Sequence, residues 1–343
     1  MKNITLTIIY EASALNRDEK AGGNILTVKK ITLNGMPHSF IGKPAIRHFL
    51  FQTLQRACDC PDKTNHKENC EWKPASVTTQ GGVVQFDITK NDILNSAELD
   101  LFGYMFTIGG KMSLTRKSPI GITKAVALMP WLGDMAFYCN HDLVQRDLKA
   151  GGSATPNPFQ KEEHISFYKV SFTIDAEMTG KDEWVVASCK EASNKLTITI
   201  SDQLSKTVSP WNKKVVEVKS EGNKKKITFK IEDKCKKNRI KTTLTALKNG
   251  LYAQSSNEVN TLVPLFLIAA PVKIPVPIFH SFVEIRPEKD KFKALTEPLK
   301  KALENTWLDG NIYISDTLGK IEIDKELQDK STNWAAFLTE LGI

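Results

Sequence analysis

Apolar and polar residues alternate through NITLTIIYE (3–11), where Ile4, Leu6 and Ile8 stand against Thr5 and Thr7. A period of two predicts a β-strand. After a polar loop, ILTVKKITLNGMPHSF predicts a hairpin whose turn residues, Asn34-Gly35, tolerate positive φ. The period then changes. In KPAIRHFLFQTLQRA, Ile46, Phe49, Leu50 and Leu54 recur at helical spacing, and Pro44 suits the first helical position, where its missing N–H costs nothing. Further strands are predicted at ITKAVALM within 116–131, at the long alternating HISFYKVSFTIDAEM, and at LTITI, KVVEV and KITFKIE. KCKKNRIKTTLTALKNG predicts a second helix closed by Gly250, and the apolar strand LVPLFLIAA follows it. A last helix is expected near 297–307.

Without its insertions this order is strand, helix, two strands, helix, strand. That is the split βαβ pattern of an α+β, ferredoxin-like (RRM-like) fold, one used by RNA-recognition domains. Residues 58–80 form a cysteine-bearing insertion, and 136–163 is polar and loop-rich, with Gly151-Gly152, Pro156 and Pro158.

With 343 residues, 41% apolar and 25% charged, the chain can bury a sizeable core. No apolar leader is visible in MKNITLTIIYEAS. The most apolar stretch, LVPLFLIAAPVKIPVPIF, is broken by Lys273 and by Pro264, Pro271, Pro275 and Pro277, which excludes a spanning helix. A cytoplasmic protein without membrane partners is expected. The net charge of +8 is local: eleven Lys and Arg239 lie within 211–241 against Glu217, Glu221, Glu232 and Asp233, so the remaining chain balances. Such a segment suits a polyanion partner, and equally a solvated lysine-rich hairpin.

The loop SALNRDEKAGGN (13–24) offers Asn16, Arg17 and Lys20 as phosphate donors beside glycines that admit close backbone approach, or it is a surface loop whose charges pair internally. Lys43 and Arg47 open the first helix, where free N–H groups and the helix dipole favour an anion. Of the neighbours Lys29 and Lys30 only one can face a common site, and Lys29 is assigned to it. Arg116 and Lys117 are further backbone contacts or a solvated turn. GGKMSLTRKSP is no phosphate loop, because Met112 follows Gly110-Lys111 and the preceding glycine is misplaced. Cys58, Cys60, His66 and Cys70 could form a Cys₃His zinc knuckle, although C-x-C is an uncommon spacing and incidental thiols in a polar loop would look the same. Cys139, Cys189 and Cys235 are scattered and read as reduced. In QSSNEVN, Gln254, Ser255, Ser256 and Asn257 could meet phosphate or ribose, or simply close a turn. Asp134, His141 and Asp142 cluster, but no nucleophile elbow or ligand pair accompanies them, so no catalytic residue is assigned.

SALNRDEKAGGNILTVKK followed by IGKPAIRHFL, then NPFQKEEHISFYKVSFTIDAEM and GLYAQSSNEVNTLVPLFLIAA, resembles the DevR-like family of CRISPR-associated backbone subunits from type I-B interference (Cascade) complexes. The pieces run in order from residue 1 to about 275; the cysteine insertion and the lysine-rich segment depart from the family's habit. The resemblance implies a hand-shaped molecule. Its palm would comprise 1–57, 116–135 and 164–343, the last carrying the lysine-rich insertion 211–241 and a C-terminal helix. The fingers would be 58–115 and the thumb 136–163. It further implies a non-enzymatic subunit, stacked in several copies as a helical filament along crRNA with other Cascade subunits. Target DNA would be read through the guide, and no cofactor beyond a structural zinc is expected. On this reading Asn16, Arg17, Lys43 and Arg47 line the RNA track and the 254–257 loop approaches the same backbone. Type III relatives, which cut RNA with a loop aspartate, would make Asp18 or Asp142 the candidate. A free-standing DNA-binding regulator would need a recognition helix, which the sequence does not show.

Overall fold

The computed structural model describes the chain apart from residues 15, 18–24, 59–70, 109–111, 202–203, 213–214, 256–257, 290 and 317–318. Eight strands build the central sheet: β1 (Asn3–Ser13), β2 (Lys30–Leu33), β3 (Met36–Ile41), β4 (Ile120–Ile122), β5 (Ala125–Ala127), β6 (Ile165–Ile174), β7 (Pro264–Val272) and β8 (Tyr313–Asp316). They lie in the order β8-β7-β1-β6-β5-β3-β2, with β4 also on β6, and every pairing is antiparallel. Ten residue pairs run from Ile4↔Ile174 to Ser13↔Ile165, so β1 and β6 are matched along their whole length.

Alternation along β1 sends Ile4, Leu6, Ile8, Tyr10 and Ala12 to one face. There they pack with Ile46, Leu50 and Leu54 of α1 (Lys43–Ala57), with Ile240, Leu244 and Leu247 of α4 (Asp233–Asn249), and with Phe337 and Leu341 near the C-terminus. The opposite face is buried too. Ile9 joins Phe266, Ile268, Phe279 and Leu299 in a second core, and Thr5 and Thr7 are buried with it. Thr5 and Thr7 are therefore covered by the chain that follows β7. A hydroxyl pair, Thr7 Oγ1 to Ser171 Oγ at 2.7 Å, satisfies part of that buried polarity.

A third core gathers Phe106 and Leu114 with Trp184, Ile198, Ile227 and Phe229. The hairpins contributing these residues are too small to bury a face alone, so they pair their apolar sides. The lysine-rich hairpin (Val216–Glu221 and Lys224–Lys230) belongs to this third core together with part of the expected fingers. Between the cores sits the short helix α2 (Ala97–Phe102), entirely buried, with Ala97, Leu101 and Phe102 in the first core and Leu99 in the third. It ends at Gly103, whose φ of 66° and close approach to the Arg116 carbonyl leave no room for a side chain.

The predicted hairpin is present, with Asn34 at φ 48° and Gly35 at φ 80° between β2 and β3. Gly250 closes α4 at φ 114°. The stretch read as loop-rich is more ordered than its composition predicts. Met135–Tyr138 pairs with Phe159–Glu162, and helix α3 (His141–Lys149) spans the interval with no buried residue.

Candidate nucleic-acid interface

The chemistry-bearing loops converge where β1 ends. Ser13 exchanges two hydrogen bonds with the Asn260 side chain, at 3.0 and 2.8 Å, which ties the hairpin Gln254–Val259 to that strand end. Asn16 Oδ1 accepts the Gly42 N–H at 2.9 Å and holds the loop against the start of α1. The Gly42 N-cap has no side-chain hydrogen bond, the first turn has no acidic residue, and Pro44 contributes no N–H. Ala45 and Ile46 both give their N–H groups to the Gly42 carbonyl, at 3.0 and 3.1 Å, so what the positive end of this 15-residue helix offers is its dipole and the exposed Lys43. Arg47, one turn further, is half-shared: it reaches Glu98 at 3.3 Å and lies over the Phe102 ring. Burial pushes the Glu98 carboxyl above its ordinary range, against the pull of the Ala75 N–H and Arg47.

Arg17 departs from its expected role. Its guanidinium pairs with Glu163 at 2.7 Å and with Glu258 at 3.3 Å, and only 11% of the side chain is exposed. It is a strut between Glu163, just past the strand Phe159–Glu162, and the hairpin, not an open cation. Lys161 reinforces it, 3.6 Å from Glu258 and above the Tyr138 ring, which stacks on Phe159 at 5.4 Å. Lys30 is likewise engaged, 2.6 Å from Glu162 and over Trp131. Lys29 is partly buried, and its carbonyl accepts the Phe40 N–H.

Arg116 is corrected more sharply. It is buried, paired with Asp100 at 2.6 Å and bonded to the Met178 and Lys181 carbonyls. A guanidinium with its donors turned inward cannot grip a phosphate. It also lies at the wrong end of the sheet. Asp175 directly follows Ile174, the partner of Ile4, and it lines the same open cavity of about 410 Å³ as Arg116, Lys117 and Lys181. The length of β1, about 30 Å at strand rise, separates that end from Asn16. Lys117 is exposed there beside Glu177 and Glu183, in mixed charge.

Gln254 and Ser255 are exposed at the hairpin. Lys20, Ser256 and Asn257 lie outside the described residues, as do Cys60, His66 and Cys70 of the zinc set and Asp18; Cys58 is buried. Among the described residues no group of His, Cys, Asp and Glu could hold a metal ion. The structure adds two residues that pattern reading missed. The Arg56 guanidinium stacks on the Tyr252 ring at 3.9 Å, and Tyr252 OH donates to Gln254 Oε1 at 2.6 Å. An arginine in the last turn of α1 and a tyrosine just past Gly250 carry no motif; only folding makes them neighbours.

Two serine–histidine contacts look catalytic and are not. Ser39 Oγ meets His164 Nδ1 at 2.7 Å and Ser171 Oγ meets His280 Nδ1 at 2.8 Å, but both serines are buried beyond a substrate's reach. Asp142 is held by Arg146 at 2.6 Å on α3. Burial lowers both histidine pKa values below the ordinary 6.5, and Lys169 adds to the shift at His280. Below pH 6.5 the unfolded chain therefore binds protons that the folded one refuses, and stability falls as pH falls. The loss for each histidine is at most about 1.4 kcal/mol per pH unit, reached only between its folded and unfolded pKa values, and is smaller at the partly exposed His280. Urea midpoints at pH 7.5 and 5.5 measure it, and His280→Gln should flatten the dependence.

No helix among the described residues is long and apolar enough to cross a membrane. The pattern of the CRISPR-associated negative auto-regulator DevR/Csa2 family matches residues 4–294. A Myxococcus xanthus (strain DK1622) protein described as CRISPR-associated protein Cas7/Cst2/DevR is 25% identical over 173 residues, 48% of this chain and 54% of that protein. The chain thus spans about half the length of this relative. Among solved structures, a chain of a CRISPR RNA-guided surveillance complex in a pre-nicking state superposes with TM-score 0.52 at 9% identity, covering 99% of this chain and 98% of the other. A second CRISPR RNA-guided surveillance complex gives TM-score 0.50 at 9% identity with the same coverage. At that identity the likeness is one of fold: mixed α/β, mostly strands. The match over residues 4–294 shows more, and the chain belongs to the CRISPR-associated DevR/Csa2 family.

Proposed function

We propose that the chain is a non-catalytic, RNA-binding backbone subunit of a type I-B CRISPR interference complex, working in the cytoplasm in antiviral defence. The observation that carries the reading is the open, acid-free start of α1. Lys43 and the Asn16 loop sit there, at the same strand end as the polar hairpin Gln254–Val259. A helix dipole, a lysine and short amides hold phosphate and sugar without reading bases. Such a subunit holds crRNA by charge and shape and leaves sequence recognition of target DNA to base pairing. The order β7-β1-β6-β5 around α1 and α4 supports reading the central sheet as a ferredoxin-like palm. The segment 136–163, read as the thumb, exposes Phe137, Leu143 and Leu148, and Leu132, Met135 and Ile165 are exposed beside it, apolar side chains suited to the next copy in a filament.

The test is to express the chain alone, wash it at high salt, and record its 260/280 nm absorbance ratio with sequencing of whatever nucleic acid remains. RNA of no fixed sequence, in large heterogeneous assemblies, is expected. A nucleic-acid-free monomer sinks the reading. Cleavage of labelled complementary RNA with magnesium would overturn its non-catalytic part.

A further inference from the structure

The lysine-rich segment splits into two parts of different character. On the hairpin Val216–Glu221/Lys224–Lys230, three of the five lysines are shared with carboxylates: Lys219 and Lys230 reach Glu217 at 3.7 and 3.3 Å, and Lys226 reaches Glu183 at 2.9 Å. Lys225 donates to Ser220 Oγ at 2.8 Å, so that face is partly neutralised. Helix α4 is different. Lys234, Lys237 and Lys241 are exposed on it, and Lys248 continues the line, partly buried over the Trp334 ring. Residues 234, 241 and 248 are seven apart, so they form a straight stripe with a charge about every 10 Å. Among the described residues none of Lys234, Lys237 and Lys241 has an ion-pair partner. The acids nearby are Glu232 and Asp233 at the helix start, and Glu71, which is occupied by Arg239 at 2.8 Å and by the Cys235 thiol.

Three further facts define the partner. The apolar side of α4 is inside the central core, so the helix has nothing to insert into a lipid surface. No large apolar residue along the helix is exposed, so a protein partner would find no anchor. Lys234, Lys236 and Lys237 also occupy the positive end of the helix, where a cation works against the dipole, so they do not serve the helix. Ammonium point charges on a rigid straight line suit a phosphate backbone bound without regard to sequence.

We propose that Lys234, Lys237 and Lys241 form a second polyanion surface, separate from the start of α1, for the phosphate backbone of a nucleic acid other than the retained RNA. The inference rests on the function proposed above. The test uses the full chain with its retained RNA, titrated across a salt series with fluorescent duplex DNA and single-stranded DNA that have no match to that RNA. In K234Q/K237Q/K241Q the 260/280 nm ratio should stay at the wild-type value. DNA affinity should drop about tenfold, and the log–log salt slope should become shallower by about 2–3 for three lost phosphate contacts. The hairpin control K219Q/K226Q/K230Q should change affinity less than about twofold, since those charges are already shared. A response confined to duplex or to single strand supports the surface and names its ligand. Unchanged DNA affinity and slope in the α4 variant overturn it, as does loss of the retained RNA, which would make the stripe part of the first site. A wild-type chain that holds no RNA defeats the proposed function instead, and the DNA comparison still decides the stripe.

Discussion

Asp100→Ala should cost the fold about 3–5 kcal/mol, the loss expected when one partner leaves a buried charge network. Asp100 is fully buried on α2, between the central and third cores. One carboxylate oxygen accepts from Arg116 at 2.6 Å and from the Gly180 N–H at 2.8 Å; the other accepts from Arg239 at 2.8 Å. Both guanidiniums are buried, and Arg239 already has one Nη without a partner. Removing the carboxylate strands two cations in a dry interior, where Glu71 and the more distant Asp182, at 3.8 Å from Arg116, compensate only part of the charge. Chemical denaturation of the purified protein measures this, with the melting temperature expected to fall by about 10 °C. Asp100→Asn keeps the shape and one acceptor and should lose roughly half as much. A loss below about 1 kcal/mol for the alanine variant would mean that water reaches this network.

Lys43→Glu should weaken retained RNA by about tenfold at moderate salt while leaving the fold as stable or slightly more so. The two effects have opposite signs because they come from the same place. An acid in the first turn complements the dipole of α1, worth about 0.3–1 kcal/mol, and this helix has none there. The same acid faces the phosphate that the open N-terminus would hold. Loss of one single-strand phosphate contact shortens the salt slope by about 0.7, and the added negative charge repels the strand as well. Retention across a salt gradient, read beside a melting curve, separates the two effects. An unchanged elution profile with a raised melting temperature would place the RNA elsewhere.

Each interaction that only folding reveals joins positions far apart in the chain. Arg17 and Lys43 looked equivalent in the sequence, two basic residues beside the first strand and the first helix. The structure makes one a strut and leaves the other exposed, because Glu163 and Glu258 arrive from 146 and 241 residues away. Arg116, in a polar RKSP context, is buried for the same reason: Asp100 and the Lys181 carbonyl come from distant elements. Arg56 and Tyr252 became neighbours across nearly the whole palm.

The sequence by itself determined what short-range physics controls: the period-two strand of 3–11, the Asn34-Gly35 turn, the helix begun near Pro44, the helix closed at Gly250, and the strand–helix order of the central sheet. These follow from backbone sterics and side-chain spacing within a few residues. Tertiary structure decided which charges remain available. A cation's role is set by whichever carboxylates share its low-dielectric surroundings, and those arrive through long-range packing that no local pattern encodes.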